Sequence, residues 1–275
     1  MRVLRAALSA RYRQMHFSRK SLGIQYAVFL VVFVAAPLLV LFYYAFTNGQ
    51  GQVTIQNFTH FFTDPNTLGT LFYSLSIALV TTLVCLLLAY PVAYFLATSG
   101  LRSQPVILML FVLPMWINFS LRITALKEVL NVLEGNLAMH PFLNAVIGMT
   151  YDFLPFMILP IYTTISRLDG ALREAAMDLG ADSVQTFLRV TLPLSVPGII
   201  SGVSMVFLPA MTNYVILDML YNSTYIMGSL IGSYFAAYDW HGGSMISLIL
   251  LAMICIFTLL TGGEEDADRK GGALL

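Results

Sequence analysis

Charge is scarce in this chain. Only 10% of its 275 residues are Asp, Glu, Lys or Arg, while 58% are hydrophobic. Soluble domains carry about 25% charged residues. So few charges cannot cover so much apolar surface, and lipid must solvate much of the exterior. Net charge is zero, which offers nothing towards a nucleic-acid partner, and none is expected. Cysteine is almost absent. Cys85 and Cys255 both sit in apolar runs and read as small packing residues, not as a disulfide framework or metal site. The four histidines, His16, His60, His140 and His241, fall outside every long apolar run. A nucleophile at Gly202-x-Ser204 would therefore lack a base within reach, and Ser204 reads as a small packing residue in a helix. There is no G-x-x-x-x-G-K-[ST] phosphate loop. No enzyme, cofactor or metal is expected, and any ATP hydrolysis belongs to a separate subunit.

What is present is apolar length. Six runs stand out, roughly 24–46, 71–98, 105–127, 142–166, 198–217 and 244–262. Each is near the roughly 20 residues a membrane-spanning helix needs. The first follows a basic tail, as in a signal peptide, but Ile24–Phe46 exceeds the usual signal core. At about 1.5 Å per residue it reaches roughly 34 Å, enough for a bilayer core of about 30 Å, and it reads as a retained span. Pro37, Pro91, Pro114, Pro155, Pro160 and Pro209 lie inside these runs. A packed bundle tolerates them as kinks. The expected fold class is all-α, a polytopic membrane bundle of about six helices. The expected domains are a basic tail at 1–23, a permease domain at 24–262 and a tail at 263–275.

Basic residues set the orientation. Arg2, Arg5, Arg11, Arg13, Arg19 and Lys20 fill the N-terminal tail. With that tail in the cytoplasm, Arg102 and then Arg167, Arg173 and Arg189 fall in inside loops, and Arg269 and Lys270 in an inside tail. Loops 47–70, 128–141 and 218–243 would lie outside, and they contain no Lys or Arg. The positive-inside rule predicts this asymmetry. Both termini are expected to be cytoplasmic, in a multi-pass inner-membrane protein.

The segment 167–197 is the longest inside loop between spans. Leu168, Leu172, Ala175, Ala176 and Leu179 recur at helical spacing. Asp169 suits an N-cap and Gly180 a C-terminal stop. A second short helix is expected over Ser183–Leu192, capped at Asp182/Ser183 and ending before Pro193. Two short helices joined at a glycine make a docking elbow on the inner face. Ala175, Ala176, Gly180 and Ala181 permit close approach, and Arg173 and Glu174 offer charge at the rim. The alternative is a helix resting on lipid, which usually carries a Lys- and Arg-rich face.

Glu174-Ala175-Ala176-x-x-x-Gly180, nine residues, then Val190-x-Leu192-Pro193 resembles the EAA motif of ABC importer permeases, with Val190 where Ile is usual. Leu113-Pro114-x-Trp116-x-Asn118-x-Ser120-x-Arg122, Leu154-Pro155-Phe156-Met157 and Pro197-Gly198-Ile199-Ile200-x-Gly202 are similar to the polyamine (spermidine/putrescine) permeases of that family. The likeness runs from about residue 25 to 260. It implies the type I importer permease (MetI-like) fold and a coupling loop seated in a groove of an ATPase. Glu174, Ala175, Ala176, Gly180, Leu192 and Pro193 would make that coupling. The implied partners are a dimer of ATPase subunits, a second related permease, an extracytoplasmic binding protein and a small cationic solute. The tail Gly262–Leu275, with Glu264, Glu265, Asp266 and Asp268, does not match the family pattern and reads as a solvated cytoplasmic end.

A polyamine needs carboxylates and aromatic faces, since a cation over a ring gains about 0.5–2 kcal/mol. Trp116, Tyr151, Asp152, Tyr214 and Asp218 are the residue types for such a path. Trp and Tyr near span ends also serve as interfacial belts, the reading favoured for Tyr238 and Trp240. Arg122 has Glu128 and Asp152 as potential partners. The alternatives are an importer permease for another small solute and, from a different class, a secondary transporter or channel. The latter would show midplane ion ligands or inverted repeats and would leave the docking loop without a role.

Overall fold

The computed structural model describes the backbone of residues 19–221 and 226–271, and the side chains of residues 23–221 and 226–261. The basic residues before Arg19 and the side chains of the acidic tail lie outside the described residues. Helices occupy nearly everything described, in the order α1 (Arg19–Leu30), α2 (Ala36–Ala45), α3 (Gln56–Thr63), α4 (Pro65–Thr98), α5 (Gln104–Val112), α6 (Phe119–Glu134), α7 (Pro141–Ser166), α8 (Gly170–Asp178), α9 (Ser183–Thr186), α10 (Leu192–Thr212), α11 (Val215–Leu220), α12 (Met227–Ala236) and α13 (Trp240–Gly271). The one pairing of extended backbone described is a single bridge between Thr47 and Val53.

Five stretches are long and apolar enough to cross a membrane: Gly23–Ala45, Pro65–Thr98, Pro141–Ser166, Ser183–Thr212 and Trp240–Thr261. A sixth arises if the bent pair α5 and α6 counts as one span. Local chemistry sets the ends. Asp64 caps α4, its carboxylate accepting from the Asn66 and Thr67 amides at 3.2 and 3.3 Å, with Pro65 at the first helical position, where its missing N–H costs nothing. Such a 34-residue helix is about 51 Å long at 1.5 Å per residue, longer than the bilayer core.

The core lies where α4, α7 and α10 pack together. Ile77, Ala78, Cys85 and Ala89 face Met149, Met157, Ile158 and Ile161, with Val206, Ala210 and Met211 closing the third side. Glycine lets α10 approach α7. A methyl at Gly198 would stand 2.9 Å from the Pro160 carbonyl oxygen, and one at Gly202 2.7 Å from Met157 Sδ. Small residues at helix contacts are the usual solution in lipid, where packing must replace the hydrophobic effect. The first span stays outside this core. It touches α13 through α2, whose Ala45 is buried, while the apolar side chains from Ile24 to Val34 are exposed, as a lipid-facing helix requires.

Four spans differ from the sequence reading, the second because it begins at Pro65 rather than at 71. The third span is not a straight helix over 105–127. It turns by 97° between Trp116 and Phe119. Ile117 is extended, and the Asn118 side chain accepts from Ser120 N at 3.0 Å and Leu121 N at 3.4 Å, restarting the helix in a new direction. The fifth span begins earlier than Gly198 and ends at Thr212. Asn213 and Tyr214 break it, so Tyr214 and Asp218 lie beyond the span. The last helix begins at Trp240, and its backbone continues through the start of the acidic tail to Gly271.

Candidate functional site

The elbow after α7 is built by three local devices. The Asp169 carboxylate accepts from Ala171 N at 3.0 Å and starts α8. At the other end Gly180 adopts φ +88°. Its N–H bonds to Met177 O at 2.9 Å and that of Ala181 to Ala176 O at 3.0 Å. These two bonds make the Schellman stop, which needs a left-handed residue that glycine supplies without strain. Asp182 then caps α9, accepting from Gln185 N at 2.7 Å.

The second arm of the elbow does not end before Pro193. Pro193 has no N–H to close an α-helical bond on the Arg189 carbonyl. The turn before it widens into a π-helix over Phe187–Thr191, where the Leu192 N–H reaches back to Phe187 O. The chain then continues as α10. The elbow and the fifth span are therefore one helix from Ser183 to Thr212.

Aromatic packing fixes that junction. The Phe187 ring meets Tyr90 and Tyr94 of α4 edge to face, with centroids 5.8 and 5.1 Å apart. The Tyr90 hydroxyl and Ser195 Oγ are 2.8 Å apart. Tyr94 also lines a cleft of about 220 Å³ with Gly170, Arg173, Glu174, Met177, Ser183 and Thr186. Glu174 and Ala175 are exposed and Ala176 is half-buried. Leu179, at the tip, is 90% exposed, and Met177, Val184 and Leu188 are exposed beside it. Exposed apolar side chains grouped in this way suit contact with a protein or with lipid. Sequence reasoning missed Tyr90, Tyr94 and Phe187. The available signal was Pro193, which shows that the helix must adjust but not which ring fills the space.

The residues proposed for a substrate path do not all converge. Asp152 of α7 is buried and forms an ion pair with Arg122 of α6, which decides between the two partners considered for Arg122. The Arg122 guanidinium carbon stands 5.9 Å from the Tyr151 ring centroid. Lys127 Nζ donates to Met219 O at 3.0 Å, tying α6 to α11. Trp116 is 77% exposed at the bend of the third span. Tyr214 and Asp218 are exposed on the connection beyond α10. No described hydrogen bond, ion pair or ring contact links Trp116, Tyr214 or Asp218 to Asp152. Among the described residues no three His, Cys, Asp or Glu side chains gather as metal ligands.

This architecture has known relatives. The sequence profile of the binding-protein-dependent transport system inner membrane component family matches residues 6–262. The chain belongs to this family. The spermidine/putrescine transport system permease protein PotB of Haemophilus influenzae is 35% identical over 249 residues, covering 82% of this chain and 87% of that one. PotB of Escherichia coli is 35% identical over 256 residues, covering 84% and 92%. In three dimensions the chain is similar to a bacterial ABC transporter that imports the acidic polysaccharide alginate. Its TM-score is 0.69 at 15% identity, over 90% of this chain and 94% of that one. A second crystal structure, of an alginate transporter with an alginate pentasaccharide-bound periplasmic protein, gives 0.69 at 12% identity, over 88% and 91%. At such identities the structural likeness speaks for the fold, which is that of ABC importer permeases.

Proposed function

We propose that this chain is the transmembrane permease subunit of an ATP-driven importer whose cargo is a polyamine, spermidine or putrescine. The observation that carries the reading is the elbow. A capped, exposed helix, α8, stops at a Schellman glycine, and after the tight turn through Ala181 and Asp182 the second arm is one helix with a span long and apolar enough to cross the membrane. A push on Glu174 or Leu179 has only the hydrogen-bonded turn at Gly180–Asp182 to cross before it reaches the helix that runs into α10. The roughly one-third identity to PotB over most of both chains supports the choice of cargo.

In this reading the subunit is not catalytic. Two copies of an ATPase subunit dock at Glu174, Ala175, Ala176 and Gly180, with Leu192 and Pro193 fixing the second arm. A second, related permease (PotC-like) completes the membrane pore. An extracytoplasmic binding protein delivers the cargo at the opposite end of the bundle, near 47–70, 128–141 and 218–243. The permease domain is 24–262, with both tails in the cytoplasm. The family profile ends at residue 262, where this domain ends, and begins at residue 6, within the basic tail. ATP binding favours one state of the paired bundles and the loaded binding protein favours the same state from the other side. Neither ligand acts unless it prefers that state. Trp116, Tyr151, Asp152, Tyr214 and Asp218 remain the proposed path residues, with Asp152 available only when Arg122 releases it.

Two experiments test the reading. In proteoliposomes holding this chain with its cognate partners, ATP should drive uptake of labelled spermidine or putrescine. A complex that hydrolyses ATP when its binding protein is added but moves neither amine contradicts the cargo. For orientation, a cysteine replacing Leu179 should react with a membrane-impermeant maleimide only in inside-out vesicles. Reaction in right-side-out vesicles contradicts it.

A further inference from the structure

Arg122 occupies a receptor of the kind an ammonium group seeks. Its guanidinium is paired with the Asp152 carboxylate on one side and set against the Tyr151 ring on the other. A carboxylate beside an aromatic face is the minimal box for an organic cation. Asp152 is 5% exposed and Arg122 8%, so the pair is shielded from water. Tyr151, one residue away, is 41% exposed and opens the box outward from this chain.

The box holds Arg122 incompletely. The guanidinium has five N–H donors in a planar fork, and a carboxylate can accept two of them side by side. Here the described contact to Asp152 runs from one terminal nitrogen to Oδ1, and Nε is buried without a hydrogen-bond partner. The arginine lies just beyond a bend in its span. It lies four residues after Asn118, where the third span turns by 97°, while Asp152 and Tyr151 stand on α7 in the packed core. A small rotation of α6 at the Asn118 cap would withdraw the arginine and leave Asp152 and Tyr151, on α7, in place.

We infer that Arg122 is a resident substitute for a substrate ammonium, and that transport exchanges the two cations on Asp152 and Tyr151. This inference rests on the polyamine reading above and makes it specific. With no substrate present, an unpaired carboxylate at this depth would be strongly unfavourable. Arg122 neutralises it and clamps α6 to α7, so the path is closed at rest. An arriving ammonium group takes over the carboxylate and the ring face, and the clamp opens because Asp152 is never left alone. Neutral or anionic solutes cannot make the exchange, so the same contact that closes the path selects for cations.

The test is uptake of labelled spermidine by proteoliposomes containing the full complex, with four forms of this chain. The parent must transport. A parent that moves no spermidine overturns the polyamine reading and the exchange with it. The swap Arg122→Asp with Asp152→Arg keeps an ion pair between α6 and α7 but points a fixed cation at the path. It should assemble and lose at least about tenfold in uptake, whereas uptake at the parental rate shows that the pair is structural and overturns the inference. Tyr151 is exposed, so its variants fold whether or not the swap does. Tyr151→Phe keeps the face and should keep the parental KM. Tyr151→Leu should raise KM about fivefold, a loss within the range of one cation–ring contact. A Tyr151→Leu complex with parental KM overturns the inference even when the swap fails to assemble.

Discussion

Phe187 meets Tyr94 edge to face, with ring centroids 5.1 Å apart. Phe187 belongs to the widened turn that joins the elbow to α10, and Tyr94 belongs to α4 and lines the cleft beside Glu174. The contact therefore fixes the second arm of the elbow to the bundle where that arm passes into α10. Edge-to-face pairs contribute about 0.5–1.5 kcal/mol beyond their burial, and Phe187 makes two of them. Phe187→Leu should leave the complex assembled and hydrolysing ATP while uptake falls several-fold. Phe187→Tyr should retain most of it. The ratio of solute moved to ATP hydrolysed is the measurement, and an unchanged ratio in Phe187→Leu removes the ring from the coupling route.

Gly180 separates backbone strain from lost space. A methyl group there would meet nothing within 4 Å, yet φ is +88°. Alanine should suffer only through the left-handed backbone, by about 1–2 kcal/mol, and asparagine less, because its side chain tolerates that region. Uptake should therefore rank parent, then Gly180→Asn, then Gly180→Ala. Equal activity of the two variants would show that the Schellman geometry is not what the position requires.

Much of the elbow was legible before any coordinates. Asp169, Gly180 and Asp182 act locally, and local hydrogen-bond chemistry can be read from residue type and spacing. The same holds for the span Pro141–Ser166, expected at 142–166. What stayed hidden were consequences of packing. Asn118 looks like one more polar residue in an apolar run until its side chain is seen capping a helix that starts afresh. The widened turn before Pro193 requires a partner, and the partner rings, Tyr90 and Tyr94, lie about a hundred residues earlier in the chain. Asp152 and Glu128 both stand as potential partners of Arg122 in the sequence, and the choice of Asp152, thirty positions away, depends on how α6 is turned.

Gly228 and Gly232 provide an internal comparison within α12. A methyl at Gly228 would fall 2.1 Å from the Thr212 carbonyl oxygen, whereas one at Gly232 meets nothing within 4 Å. Backbone cannot move aside as a side chain can. Gly228→Ala should lower the thermal midpoint of the purified complex, by about 1–3 kcal/mol of stability or more. Gly232→Ala should leave it unchanged or raise it slightly, since alanine favours helix over glycine. Equal midpoints would mean that α12 does not seat against the end of α10 as described.

Asp64 gives the structure an acid-sensitive cap. The Thr67 hydroxyl and then the Asn66 amide, both donating to the carboxylate, hold its pKa below the ordinary value. The folded pKa is thus lower than the unfolded one. The contribution is complete above the unfolded value of about 4 and is lost as pH falls through the folded value. The parent's thermal midpoint should decline more steeply below about pH 4 than that of Asp64→Asn, which keeps a capping oxygen but cannot titrate. Parallel declines would show that the cap has no part in acid sensitivity.

The proposed function requires the elbow to transmit ATP-driven motion to the fifth span. Spermidine uptake and ATP hydrolysis should be measured together in one proteoliposome preparation, for the parent and for Glu174→Ala. Glu174 is exposed, so the variant should fold and assemble. The parent should couple hydrolysis to uptake, and the variant should lose uptake while the complex remains intact. A Glu174→Ala complex that transports spermidine at the parental rate per ATP would contradict it.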